Sequence, residues 1–167
     1  MPTDVFRAAD ATLVLASDDT QTAEGVAGGD VITRYDLSNA VGRLTGLTIT
    51  VTSDVQPFYE IGRRYPGQLR PGLVGVAGRA ERAHVNGALL QLLLGDGAGS
   101  PPATPLFVQP AFNVIATLRD VARPDAMTQL TAFGVRFDTW TYSLGVADDF
   151  VLESVTFKAL RLAYGEA

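Results

Sequence analysis

From Leu47 to Ser53 the chain reads Leu-Thr-Ile-Thr-Val-Thr-Ser, an alternation without a break. Successive side chains of a β-strand point to opposite faces. Leu47, Ile49 and Val51 therefore share one face, and Thr48, Thr50 and Thr52 share the other. Such a strand needs a sheet with one side on a core and the other side polar.

The same period recurs along the chain. Ala11–Ala16 reads as a short strand and Val31–Tyr35 as a weak one, with Ser17–Asp30 between them as an exposed, Gly-rich loop. Leu73–Glu81 is a strand rich in Gly and Ala, a composition that marks bulges or close backbone approach. In Phe112–Asp120, Phe112, Val114, Ala116 and Leu118 fall on one face. In Leu130–Leu144, Phe133, Val135 and Phe137 oppose Arg136, Asp138 and Trp140. In Phe150–Tyr164, Val155, Phe157 and Ala159 align, and these last two segments read as a long hairpin. One segment has helical spacing. Over Ala83–Gly95, Val85, Leu89 and Leu92 share a face with Ala88 and Leu93 beside it, and Gly95 suits the stop. The expected fold is mainly β: an antiparallel sandwich or barrel with one flanking helix at about 83–94 and a long loop at about 54–71, in a single domain over 1–167.

Composition narrows the chemistry. The chain has no Cys and one His, His84, so thiol catalysis, thiolate metal sites and His-based triads drop out. Gly95–Ser100 is Gly-rich but lacks the Lys that a phosphate loop needs. Asp18-Asp19 and Asp148-Asp149 are adjacent acids, which in a strand point apart, and they read as solvated turn residues. No nucleophile stands with a base. The expectation is a non-enzyme without cofactor or metal. There is no signal peptide and no apolar run approaching a membrane span of about 20 residues, so a soluble protein is expected.

What the strands leave unexplained is Gln56–Gly72. It is broken by Pro and Gly, yet it carries Phe58, Tyr59, Ile61, Tyr65 and Leu69 with Arg63, Arg64 and Arg70. Charge is concentrated around it. Residues 63–82 hold five Arg against one acid, whereas the chain as a whole carries a formal charge of -5. Twelve of the thirteen bases are Arg, the residue suited to planar pairing at interfaces. Stacking of Tyr59 and Tyr65 on bases above an arginine patch makes a nucleic-acid-binding β-domain an alternative. The acidic balance of the whole chain weighs against it.

The run Ser53–Gly95, about a quarter of the chain, resembles the tail tube proteins of tailed bacteriophages. The resemblance rests on Val55, Pro57, Tyr59, Glu60, Ile61, Gly62, Tyr65 and Pro66 in the loop. Pro71, Gly72, Gly78 and Arg79 follow it in a strand that leads to a helix. It implies a subunit of hexameric rings that stack into a hollow tube, the conduit for genome delivery. It also implies other tail proteins as partners: sheath if the tail is contractile, tape measure, terminator and baseplate. Its place would be the virion tail, assembled in the host cytoplasm. A tail terminator, a baseplate hub and an injection-system tube share the fold and remain alternatives. On this reading the loop is held by another subunit through Phe58, Tyr59, Glu60, Arg63, Arg64, Tyr65 and Arg70. Asp18, Asp19, Asp148 and Asp149 are the candidate carboxylates. Thr48, Thr50, Thr52 and Asp138 are candidates for an acidic or neutral lumen past which DNA slides.

Overall fold

A computed structural model of the chain describes residues 6–39, 41–100, 108–120, 122–123, 125–147 and 149–166. In chain order the elements are β1 (Ala11–Ser17), α1 (Ala23–Arg34), β2 (Leu44–Ser53), β3 (Gln56–Phe58), β4 (Gln68–Arg70), β5 (Val74–Ala83), α2 (Ala88–Leu94), β6 (Phe112–Arg119), β7 (Met127–Ser143), β8 (Leu152–Ala159) and β9 (Arg161–Glu166). One antiparallel sheet runs β1-β6-β7-β8-β5-β2, with β9 paired to the first half of β7. It curls into a half-barrel, and both helices pack on the residues inside the curl. The mainly β expectation holds.

The alternation in β2 holds up to Ile49, and Val51, expected on the same face, is exposed where the strand runs out toward the β2–β5 hairpin's end. Leu47 and Ile49 pack against the core, and Thr48, Thr50 and Thr52 are exposed. The long hairpin also forms. β7 pairs with β8 over its second half and with β9 over its first, so the segment from 152 to 166 is one strand bent at Leu160. Two irregularities in β7 change which side chains face inward. A bulge between Phe137 and Thr139 shifts the phase. Trp140, expected beside Arg136 and Asp138, therefore sits opposite buried Val155 and packs on the core. A second shift separates Ala132 from Val135, which are both buried. Phe133 is left half-buried under the Arg161 guanidinium, 4.9 Å from its ring centroid, and not on the face of Val135 and Phe137.

Two expectations about helices are corrected. The segment expected as a loop followed by a weak strand is the helix α1, capped by Thr22, whose hydroxyl accepts from the Gly25 amide at 3.1 Å. Its glycines lower helix propensity by about 1 kcal/mol each relative to Ala. Packing requires at least one of them. A Cβ on Gly28 would lie 2.2 Å from the Ala111 carbonyl oxygen, so only Gly lets the helix approach so closely. Val31 and Ile32 are then buried in the core. The second correction concerns α2, which starts at Ala88 and not at about 83. β5 runs to Ala83, and His84 and Val85 lie in the connection. Ala88, Leu89 and Leu92 are buried as the periodicity implied, but Val85 is exposed.

Phe112, Phe137 and Phe157 centre the core, with Phe112 edge-on to Phe137 at 4.9 Å. Beside them lies a buried ionic cluster. Glu153 is in phase with Val155 and Phe157 and so points inward. Arg82 Nε lies 2.5 Å from its Oε1. Trp140 Nε1 donates to Glu153 Oε2 at 3.0 Å, and Arg82 Nη2 donates to the Asn86 carbonyl and side-chain oxygens, both at 3.1 Å. His84 Nδ1 lies 3.3 Å from Glu153 Oε2, so the residue expected at a helix start without a partner stands against this carboxylate. Asn86 Oδ1 also accepts from the Ala88 amide, which ties the cluster to the start of α2.

Candidate assembly interface

The segment Gln56–Gly72 is an arm. β3 and β4 pair with each other and continue the β2–β5 hairpin beyond the sheet, with the Asp54 amide donating to the Leu73 carbonyl at the root. At the tip the Gly67 amide donates to the Phe58 carbonyl at 3.0 Å, and Gly62 takes φ +85°, a conformation that side chains with a Cβ resist. Every residue from Val51 to Pro71 is exposed. Ile61 is 106% exposed and Tyr65 82%, and Phe58, Tyr59 and Leu69 are also open. The arm thus presents its apolar side chains without packing them on its own body. Single exposed hydrophobics are ordinary, but a contiguous set on one projection marks an interaction surface.

Its charges are arranged unequally. Arg63 Nε lies 3.2 Å from Glu60 Oε2 within the arm. Arg64 and Arg70 have no ion-pair partner among the described residues. The structure thus brings together Phe58, Tyr59, Glu60, Arg63, Arg64, Tyr65 and Arg70 on one arm. Asp149 is elsewhere, on the β7–β8 turn, where its amide donates to the Val146 carbonyl. Asp148 lies outside the described residues. Leu144, Val146 and Phe150 on that turn, with Val85 nearby in sequence to β5's end, are exposed as well. The register sets this turn at the opposite end of the sheet from the arm. Ala83 pairs with Leu152 there, while Val76 pairs with Ala159 at the arm end.

Between the two ends, the strands β7-β8-β5-β2 form a four-stranded sheet with two open edges. Among the described residues β2 pairs only with β5, and β7 beyond Arg136 pairs only with β8. One carbonyl of the β7 edge, that of Phe137, accepts from Gln109 Nε2 at 2.7 Å. The outward face of this sheet is rich in hydroxyls. Thr48, Thr50 and Thr52 stand across from Arg79, Ala77 and Gly75, and beyond them lie Ser154, Thr156, Thr139 and Thr141. Its charged side chains are Arg79, paired with Glu81 at 2.6 Å; Asp138, which accepts from the Thr156 hydroxyl; and Arg136 and Lys158, directly across from each other. That is one cation more than the acids on this face.

Asp18 and Asp19 occupy the turn between β1 and α1. Asp19 Oδ1 accepts from the Gln21 amide at 2.9 Å, and its carbonyl accepts from the Thr22 hydroxyl. Together with Glu24, Arg136, Arg161, Phe133 and Leu160 they line a groove of about 390 Å3. The sequence reading missed Glu24, Arg161 and Leu160 as parts of one feature. A signal was present at Leu160, an apolar residue in phase with Lys158 where the strand's apolar face is carried by Val155, Phe157 and Ala159. Among the described residues no group of His, Cys, Asp and Glu could hold a metal ion, and no helix is long and apolar enough to cross a membrane.

No family model matches the chain, and no curated protein matches it in sequence. Solved structures do match in fold. A chain of the sheath-tube complex of an extracellular contractile injection system, PVC, in its extended state superposes with a TM-score of 0.62 at 12% identity, covering 99% of this chain and 93% of that one. The SPP1 tail tube gives 0.61 at 12% identity, covering 98% and 80%. The tube-terminating cap of the anti-feeding prophage gives 0.64 at 9% identity, covering 100% and 95%. The fold of this chain is therefore the one found in phage tail tubes and in the tubes of contractile injection systems, and it spans nearly the whole chain.

Proposed function

We propose that the protein is the structural subunit of a tail tube: copies join side by side into hexameric rings, and the rings stack into a hollow conduit. The observation that carries this is the pair of open edges on an even number of strands. β7 and β5 run one way, β8 and β2 the other. Joining β2 of one copy to β7 of the next therefore continues the antiparallel order without a break. Repetition by rotation closes the sheet into a barrel that has no free edge. An edge strand left open is a liability that soluble proteins cover, and closure covers both edges at once.

In such a ring the hydroxyl-rich outward face of β7-β8-β5-β2 lines the lumen, with Thr48, Thr50, Thr52 and Asp138 on it. Short hydroxyl side chains offer weak, exchangeable hydrogen bonds, a suitable wall for a cargo that must slide. The two ends of the sheet differ, the arm at one and the apolar β7–β8 turn at the other. A head-to-tail stack of rings requires that asymmetry. The fold shared with phage tail tubes supports genomic DNA as the transient cargo and a virion tail as the location. It also supports sheath, tape measure, terminator and baseplate proteins as partners, and a role without catalysis. Because a tube-terminating cap and an injection-system tube share the fold at similar scores, a terminator or injection-system tube is the second reading. Sedimentation of the purified protein over a micromolar range tests assembly. The expected result is one large closed species that grows with concentration, and a strictly monomeric mass throughout contradicts it.

A further inference from the structure

We infer that the charged groove of one copy is the receptor for the arm of the neighbouring copy in the same ring, an inference that rests on the ring reading above. Register brings the arm to the groove. Arg136, Lys158, Ala77 and Thr50 lie level across the four strands. When β2 of one copy runs antiparallel along the β7 edge of the next, its C-terminal end meets the Arg136 end of that edge. The arm leaves β2 at Ser53, so its root emerges beside the partner copy's groove. From Ser53 to Ile61 an extended chain reaches roughly 25–30 Å at about 3.3 Å per residue, ample to lie along the groove.

The chemistry matches part by part. The groove is lined by three acids, Asp18, Asp19 and Glu24, and by two bases, Arg136 and Arg161, with no ion pair between the two sets among the described residues. Its lining also offers Leu160, 84% exposed. The arm brings the complement: Arg64 without an ion-pair partner for the acids, Glu60 for the bases, and Ile61 and Tyr65 for Leu160. Buried in this contact, Arg64 would gain charge-assisted bonds that it does not make on its own arm. The competing receptor is the apolar β7–β8 turn of a copy in the next ring, which offers the exposed Leu144, Val146 and Phe150.

The chain has no Cys, so paired cysteines report contacts cleanly. Three doubly substituted proteins are oxidised under mild conditions: Arg64→Cys with Leu160→Cys for the groove, Arg64→Cys with Val146→Cys for the next ring, and Thr50→Cys with Thr139→Cys for the seam. The expected result is a ladder of covalent oligomers from the groove pair, at least about tenfold more than from the next-ring pair, alongside a ladder from the seam pair. Charge reversal by Arg64→Glu should lower arm-dependent assembly about tenfold, and adding Asp19→Arg in the same chain should restore it. A seam ladder with cross-linking only in the next-ring pair overturns the groove assignment and leaves the ring reading standing. A groove pair that oxidises within one chain overturns it too, because the arm then folds back on its own body. A seam pair that stays monomeric in a monomeric protein overturns the ring reading itself.

Discussion

β2 and β5 belong to two different worlds along their length. In the body their inward residues meet the core, and the one buried arginine of β5, Arg82, is met on every side by its own chain: Glu153, Asn86 and the helix start. Past Ser53 and Val74 the same hairpin carries arginines and aromatics again, but nothing of its own chain lies beneath them. Arg82 with Glu153 and Trp140 is a satisfied cluster, and Arg64 with Tyr59 and Tyr65 is an unsatisfied one. The lesson is that residue types do not distinguish a fold-holding cluster from a binding one. What distinguishes them is whether the chain supplies its own partners.

That contrast is breakable by mutation. The largest effect is expected in the body. Glu153→Ala strands the buried Arg82 without its carboxylate, which should cost about 3–5 kcal/mol of folding stability, read as a loss of midpoint in denaturant titration. Glu153→Gln, which keeps one acceptor oxygen and so serves either Arg82 or Trp140 but not both, should cost less. A shift below about 1 kcal/mol for Glu153→Ala would place the cluster in the same class as the arm. Next comes Gly28→Ala. The added Cβ meets the Ala111 carbonyl, and overpacking of this kind costs about 1–3 kcal/mol, visible as a lowered Tm with assembly intact at temperatures where the chain stays folded.

In the arm the signs reverse. Tyr65→Ala and Tyr59→Ala should leave folding stability within about 0.5 kcal/mol. Their loss should weaken assembly by about 2 kcal/mol per contact, roughly thirtyfold in the association constant, as measured by sedimentation. Loss of stability without loss of assembly would mean that the arm serves its own fold. The smallest effect belongs to Arg63→Ala, whose partner Glu60 lies on the same exposed arm. Less than about 1 kcal/mol is expected in either assay.

The strands were legible because their period was regular: β2, β6 and the β7–β8 hairpin follow from alternation alone. Where structure and sequence reading part, a tertiary contact overrides a local preference. Gly25, Gly28 and Gly29 read as loop residues. They lie in α1, and at Gly28 the helix axis comes within backbone contact of Ala111. Trp140 was placed outside because a bulge at Asp138, invisible in composition, inverts the phase beyond it. Glu153 and Arg82 were readable in principle, each being a charge in phase with an apolar face, and only their pairing across two strands needed the fold. The arm was visible as an oddity of composition. The groove was not, because its lining comes from the β1–α1 turn, α1, β7 and the start of β9, which are far apart in sequence.

The central question is whether copies of this chain join their β7-β8-β5-β2 sheets edge to edge into one closed barrel. Negative-stain electron microscopy of the purified protein at high concentration asks this directly. The account predicts rings with a stain-filled centre, or stacks of such rings as tubes, lost in Tyr65→Ala while that variant stays folded. Particles of single-subunit size at every concentration, or compact aggregates without a central channel, would contradict it.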